Sequence, residues 1–173
     1  MASPFKDAMR KLITVMTDSF EEQKLKPAYQ VIADSQPQRI YRGAVVGCGR
    51  RGSTIDDEHV GQPHYPWPWA HAPAMIEATG VELIAGVDPD KTKLDDFAKR
   101  WGVRAIYTDV KEMVAKEQPD IVSVTTRPEE RPDLVATLAE SGVKAIFATK
   151  PISRTLAQAD EMIDVCRQNG TIL

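Results

Sequence analysis

The sequence predicts an α/β fold in which helices cover both faces of a doubly wound, parallel β-sheet. From residue 39 onward, short apolar runs alternate with amphipathic helical segments, which is the pattern of consecutive β-α-β units. The run Ile121–Val124 is almost continuously apolar, as expected for a strand that is covered on both faces. A glycine-rich turn directly follows the first predicted strand. These three observations set the fold class.

The predicted strands are short runs rich in β-branched and apolar residues, and they cover residues 40–46, 81–87, 105–107, 121–124 and 145–148. Helices are predicted between and after them, at residues 91–101, 110–116 and 132–141 and in a last segment that Thr155 opens. Gln158 stands three residues after Thr155, which indicates a capping box, and Gly142 and Gly170 are typical C-terminal stops. Residues 171–173 are predicted to begin a sixth strand. The domain at 39–173 is therefore expected to be truncated in that strand.

The first 38 residues are predicted to form a separate helical extension. Ser3 and Pro4 suit an N-cap and a first-turn proline, and a second, weaker helical segment is expected at 20–33. The first helix would carry an apolar stripe formed by Phe5, Met9, Leu12, Ile13 and Met16. The favoured interpretation is a helix that packs back on its own domain. The alternative is a helix that docks on a second subunit and makes a homo-oligomer.

Composition and charge exclude several classes of protein. The net charge of −3 argues against a nucleic-acid-binding protein and against a polybasic membrane-surface protein. No apolar run approaches the roughly 20 residues that span a membrane, and the N-terminus lacks the apolar core of a secretory signal. The two cysteines, Cys48 and Cys166, are far apart and are expected to be reduced thiols. A cytoplasmic location is expected.

The glycine-rich turn, residues 47–52, has the spacing Gly-x-Gly-x-x-Gly. In such a turn Gly47 allows a tight bend, Gly49 lets the backbone approach a pyrophosphate, and Gly52 lets the following helix pack closely on the strand. The helix N-terminus then offers free N–H groups to phosphates. The motif alone is weak, but its position directly after a strand predicts a Rossmann-type phosphate cradle.

Asp88 follows the second predicted strand and sharpens this expectation. A carboxylate there accepts hydrogen bonds from the adenosine ribose hydroxyls and repels the 2′-phosphate of NADP, so NAD is favoured. Arg50 and Arg51 each have the charge to reach a phosphate, which keeps NADP as the alternative. The gap to Asp88 exceeds the usual ~20 residues, which is explained if residues 53–69 are an inserted loop without a continuous helix.

The inserted loop gathers histidines and aromatic rings. His59, His64 and His71 lie in it or just after it, but no familiar ligand spacing is present and no metal site is predicted. Tyr65, Trp67 and Trp69 make it unusually aromatic, which suits either a lid over a cofactor or sugar, or a packing surface for a partner.

From Tyr41 to Leu173 the sequence resembles the N-terminal half of the glucose–fructose oxidoreductase, inositol dehydrogenase and MocA family (Gfo/Idh/MocA). The matching features are ordered along the chain: the glycine loop 47–52, the strand end 87–91, the segments 97–103 and 119–124, and Lys150-Pro151. The resemblance implies NAD- or NADP-dependent oxidation or reduction of sugars, inositols and related polyols. It also implies a second, larger domain, which is missing here and which supplies most substrate contacts and further acid/base residues.

The resemblance also implies roles for individual residues. In the family a Glu-Lys-Pro lysine lies near the nicotinamide, and here Thr149-Lys150-Pro151 matches in the lysine and proline only. Lys150 is therefore the candidate catalytic residue. The family often has Thr-Pro and then a histidine after the fourth strand, where this chain has Thr126-Arg127 and then Arg131. His71 resembles a histidine that follows the glycine loop, with a structural or cofactor-adjacent role.

The predicted cofactor contacts come from the glycine loop and three strand ends. They are Gly47, Cys48, Gly49, Arg50, Arg51, Gly52, Asp88, Thr125, Thr126, Arg127 and Lys150. The predicted function is the cofactor-binding part of an NAD(P)-dependent oxidoreductase whose own active site is incomplete. The alternative is a non-catalytic dinucleotide-binding or sensor module. A nucleotide-dependent methyltransferase shares the glycine loop and the acid but does not explain Lys150-Pro151.

Overall fold

A computed structural model describes residues 39–62 and 68–173, and these form one parallel sheet with helices on both faces. The five strands are β1 (Tyr41–Val46), β2 (Val81–Val87), β3 (Ala105–Tyr107), β4 (Ile121–Val124) and β5 (Ala145–Ala148). Their order in the sheet is β3-β2-β1-β4-β5, and every neighbouring pair is parallel. This is the doubly wound arrangement: β2 and β3 are added on one side of β1, and β4 and β5 on the other, so the strand order reverses between β1 and β4. The predicted fold class is confirmed.

The predicted helices are present, with ends that differ from the prediction by at most a residue or two. The helices are α1 (His71–Glu77), α2 (Lys91–Trp101), α3 (Val110–Glu117), α4 (Arg131–Glu140) and α5 (Leu156–Gln168). Thr155 caps α5 by accepting a hydrogen bond from the Gln158 backbone N–H at 3.2 Å. The Gln158 side chain reaches back to the Arg154 N–H at 3.2 Å, one residue earlier than a capping box requires.

The described part of the connection between β1 and β2 lacks an α-helix at the glycine loop itself, and after it agrees with the predicted inserted loop without a continuous helix. The loop leads into one π-helical turn, Arg50–Thr54, and then into a 3₁₀ turn, Ile55–His59. The α-helix of this connection begins only at His71, and the sequence did not predict it. It is seven residues long, its N-cap is an alanine without a capping side chain, and it contains Pro73, so the usual start signals are missing.

Two apolar clusters cover the faces of the sheet. On one face α1 and α2 pack against the strands, and the fully buried ring of Phe97 lies over Gly86 in β2. A Cβ atom at Gly86 would stand only 2.7 Å from that ring, so the absent side chain makes room for it. On the other face α3, α4 and α5 contribute residues such as Met113 and Leu138, both fully buried.

The free edge of β5 carries the beginning of a further parallel pairing. Ile172 forms a single parallel bridge with Ala145, with the Ile146 N–H donating to Ile172 O at 2.8 Å. This is where the sequence predicts the sixth strand. A largely apolar groove of about 550 Å³ runs along this edge, lined among others by Phe147, Ile163 and Leu173.

The predicted N-terminal extension, residues 1–38, and residues 63–67 of the inserted loop lie outside the described residues. The predictions for the stripe that starts at Phe5, and for Tyr65 and Trp67, therefore stay predictions. Within the described residues, none of the helices has the length and apolar character needed to cross a bilayer.

Replacing Phe97 by alanine should destabilise the domain by about 3–5 kcal/mol, because a fully buried aromatic ring is lost and a cavity remains. Urea unfolding followed by tryptophan fluorescence measures the change. Leu156→Ala is the control, since that side chain is 85% exposed and its loss should cost less than about 0.5 kcal/mol. Equal losses for the two variants would contradict the assigned core.

Candidate functional site

The site lies where the carboxyl ends of β1 and β4 stand side by side. β1 pairs with β2 on one side and with β4 on the other, so the connections leave this point in opposite directions and open a crevice. The glycine loop follows β1 into this crevice, and Thr125 follows β4. The Thr125 backbone N–H donates to Val46 O at 2.8 Å, and its hydroxyl donates to Gly47 O at 2.5 Å. Thr125 is thus part of the floor of the glycine loop.

The loop is folded so tightly that two of its glycines are required. Gly47 adopts a φ of +94°, and a Cβ there would stand 2.7 Å from the Thr125 hydroxyl. A Cβ on Gly52 would stand 2.0 Å from the carbonyl oxygen of Gly47, which no real side chain tolerates. The turn after β1 can therefore close only with glycine at both positions.

Gly49 faces the opposite way. A Cβ there would meet a single atom of the described residues within 4 Å, the Lys93 Cδ at 3.9 Å. The backbone of the loop is therefore open on the side of Lys93, and a pyrophosphate can approach it there. The Ser53 N–H donates back to Gly49 O at 2.8 Å, which holds the π-helical turn under the loop. These residues fit a dinucleotide.

Asp88 lies at the end of β2, directly beside the loop, and is only 6% exposed. One carboxylate oxygen accepts from the Cys48 N–H at 2.9 Å, and the other accepts from the Asp90 N–H at 2.9 Å. The Lys93 ammonium lies 4.0 Å from the same carboxylate. These bonds fix the carboxylate against the loop. A carboxylate held in this way beside the loop suits the ribose hydroxyls of an adenosine as hydrogen-bond donors.

Cys48 occupies the first variable position of the loop, with its thiol buried below the backbone. Burial raises the pKa of the Cys48 thiol to about 12, and the Asp88 carboxylate adds to the effect. The thiol therefore stays protonated and unreactive. Its predicted contribution to cofactor binding would come from its backbone N–H, which already orients Asp88.

The two arginines of the loop have partners in the inserted segment. Arg50 makes a bidentate ion pair with Glu58, at 2.5 and 2.7 Å, and both side chains are exposed. Arg51 lies over the ring of Trp69, with 5.6 Å from the guanidinium carbon to the ring centroid. Because the Arg50 guanidinium is already paired with Glu58, a phosphate would have to compete with that carboxylate to bind Arg50.

The inserted segment is closed on itself and tied to α2. The buried Asp56 carboxylate accepts from the N–H groups of Trp69 and Ala70, at 2.8 and 2.9 Å, and so joins its two ends. Arg100 of α2 pairs with Asp57. The acidic run before His59 therefore has structural partners. Within 39–62 and 68–173 no three histidine, cysteine or carboxylate side chains come together as metal ligands.

Lys150 lies at the carboxyl end of β5, exposed and without an ion pair to any described residue. The peptide bond to Pro151 is cis. Arg131, the first residue of α4, is 2% exposed and holds this turn. Its guanidinium donates to the carbonyl oxygens of Thr149 and Pro151, on both sides of Lys150, and to Thr126 O after β4. Arg131, noted in the sequence only as a departure from the family pattern, ties two strand ends together.

His71 is buried on the sheet face below this corner, 1% exposed. Its Nδ1 is hydrogen-bonded to the hydroxyl of Ser123 in β4, and its ring lies 5.3 Å from that of Phe147 in β5. Nε2 has no hydrogen-bond partner among the described residues. Burial, aided by the charges of Arg51 and Arg131, lowers the pKa of His71 to about 3.

Neutral, buried His71 makes stability depend on pH. The pKa of His71 is about 3 in the folded protein and 6.5 in the unfolded chain. Between these two pH values the unfolded chain is therefore protonated at His71 and the folded protein is not. Stability should therefore drop between pH 7 and pH 5 by about 2 kcal/mol from this residue alone. Urea titrations at the two pH values measure it. His71→Gln keeps a hydrogen-bond partner for Ser123 but cannot titrate, so its unfolding free energy should change much less between pH 7 and pH 5. A fall as large as that of the unmodified protein would show that His71 is not its cause.

Three features together define a dinucleotide-binding domain of the Rossmann type: the reversal of strand order between β1 and β4, the glycine loop, and Asp88 beside it. The family model described as "Oxidoreductase family, NAD-binding Rossmann fold" matches residues 41–173. The chain belongs to this family, Gfo/Idh/MocA, as its residues predict, and this domain is the family's NAD-binding domain. The resemblance is confirmed, and so is the NAD cofactor that Asp88 led us to expect.

The curated relatives include D-glucoside 3-dehydrogenase of Escherichia coli K12, 27% identical over 80% of this chain and 34% of that protein. Myo-inositol 2-dehydrogenase of Thermotoga maritima is 29% identical over 76% of this chain and 34% of that protein. The chain thus spans about a third of the length of these relatives.

Among solved structures, the WlbA dehydrogenase of Bordetella pertussis, crystallised with NADH and UDP-GlcNAcA, has the same fold. Its TM-score is 0.60 at 22% identity, and the match covers 77% of this chain and 36% of that one.

Proposed function

We propose that this chain is the cofactor-binding part of an NAD(P)-dependent oxidoreductase that transfers a hydride to or from a sugar, an inositol or a related polyol. The observation that carries the proposal is the glycine cradle beside Asp88. The backbone at Gly49 is open beside Lys93, and the Asp88 carboxylate, which suits a ribose, accepts from the neighbouring Cys48 N–H at 2.9 Å. The dehydrogenases of glucosides and inositols among the relatives support the substrate class.

In this proposal the residues of the loop, 47–52, hold the pyrophosphate, and Asp88 accepts from the adenosine ribose. NAD is the preferred cofactor, because the Asp88 carboxylate repels a 2′-phosphate. Thr125, Thr126 and Arg127 follow β4 and face the nicotinamide half. When bound, the nicotinamide supplies the acceptor or donor of the hydride.

Lys150 is the proposed catalytic residue. Oxidation of an alcohol releases a hydride from the carbon and a proton from the hydroxyl, and an amine at the end of β5 can accept a hydrogen bond from that hydroxyl or take its proton. The exposed Lys150 side chain is free of ion pairs to the described residues, and its backbone is held on both sides by Arg131. A fixed backbone with an unengaged side chain suits a group that must meet a substrate.

Calorimetric titration with NAD, NADH and NADPH tests cofactor binding, with NAD expected to bind more tightly than NADPH. Gly49→Ala should weaken NAD binding at least about ten-fold, since a methyl group would stand where the pyrophosphate approaches the backbone. The same variant should keep most of its stability, because among the described residues a Cβ on Gly49 meets only the flexible Lys93 side chain, at 3.9 Å. A folded chain that binds none of the three nucleotides would refute the proposal.

In the complete enzyme, Lys150→Met should reduce NAD-dependent turnover of a polyol by at least about 100-fold and leave the Kd of NAD nearly unchanged, as expected for loss of an acid/base group. Steady-state kinetics by NADH absorbance, on a panel of sugars and inositols, measures it. Lys99→Met is the matched control, an exposed lysine on α2. Equal turnover by the two variants would exclude the catalytic role.

A further inference from the structure

The loops after β4 and β5 form a positively charged corner in an acidic chain. Residues 125–131 and 149–154 contain four basic side chains and two acidic ones, whereas the whole chain has a net charge of −3. The basic residues are Arg127, Arg131, Lys150 and Arg154, and the acidic ones are Glu129 and Glu130. This local excess of cations lies beside the proposed catalytic lysine.

One guanidinium brings these loops together. Arg131 donates to the carbonyl oxygens of Thr126, on the β4 side, and of Thr149 and Pro151, on the β5 side. Arg127 follows Thr126 directly, and Lys150 stands between Thr149 and Pro151. The exposed side chains of Arg127 and Lys150 therefore belong to two segments that are both hydrogen-bonded to the buried guanidinium of Arg131.

The corner keeps a net positive charge, because its two carboxylates, Glu129 and Glu130, offset only part of the charge of its four basic side chains. Glu129 is engaged by Arg154 at 3.6 Å. No described carboxylate forms an ion pair with Arg127, Arg131 or Lys150, and the partners of Arg131 are neutral carbonyl oxygens. The Arg131 guanidinium, whose hydrogen-bond partners are neutral carbonyl oxygens, adds positive potential to the corner because buried charge is weakly screened. An anion bound at the corner would offset this charge.

We infer that the substrate carries a negatively charged group, a carboxylate or a phosphate, close to the carbon that reacts. The inference rests on the proposed function and narrows its substrate class from neutral polyols to anionic carbohydrates. Arg127 contacts the anionic group, while Lys150 keeps its proposed role at the substrate hydroxyl, and Arg131 is a positioning residue that fixes both segments and adds its buried charge. Guanidinium groups suit both anions, because they pair with two oxygens at once.

The test is a set of calorimetric titrations of the full chain, saturated with NAD, against glucuronate, glucose 6-phosphate and glucose. At least one anionic sugar should bind at least about ten-fold more tightly than glucose, and the difference should shrink as salt rises. The preferred anion then identifies a carboxylate or a phosphate. Arg127→Gln should abolish the preference, and Arg127→Lys should restore part of it.

Arg104→Gln is the control, because it removes the same charge from an exposed arginine at the opposite edge of the sheet, before β3. It should leave the preference intact. Three outcomes would overturn the inference. The chain binds glucose as tightly as both anionic sugars, it binds none of the three sugars, or the Arg104 and Arg127 variants lose the preference for anionic sugars equally. Repeating the titrations without NAD separates the two proposals: a chain that fails to bind NAD but still selects anionic sugars through Arg127 contradicts only the cofactor proposal.

Discussion

The contact between Gly52 and the carbonyl oxygen of Gly47 is the constraint on which the rest of the site depends. A Cβ at Gly52 would lie 2.0 Å from that oxygen, so the chain can turn back over the end of β1 only without a side chain there. The same oxygen accepts a hydrogen bond from the Thr125 hydroxyl, and this bond joins the loop to the end of β4. One close backbone contact thus sets both the shape of the phosphate cradle and the position of the neighbouring strand end.

The elements that the sequence predicted best are those whose signals are local. All five strands appear where apolar runs predict them, and α5 begins at its threonine cap. Local signals failed in the β1–β2 connection. There the π-helical turn depends on the fit of Gly52 against Gly47, and α1 starts without a capping side chain. Backbone fit of this kind has no counterpart in residue periodicity.

The glycine loop and Asp88 were also predictable, because a motif and a strand end define them. The contacts of Arg131 and His71 were not. His71 meets Ser123 across 52 positions of sequence, and Arg131 meets Thr149 across 18. Such pairings arise from the order of the strands rather than from neighbours along the chain. Both residues also retain a buried nitrogen without a partner among the described residues, an imperfection that proteins concentrate at functional sites.

Asp56 has a further consequence for how this site can vary. Its carboxylate joins the two ends of the inserted segment by accepting from the N–H groups of Trp69 and Ala70, so the distance between those ends is fixed. The entropic cost of such a loop rises by only about 0.6 kcal/mol for each doubling of its length. The number of residues between Asp56 and Trp69 can therefore change without displacing Ala70 or α1, which begins at the next residue. Asp56 thus separates the length of the segment from the position of the helix that follows it.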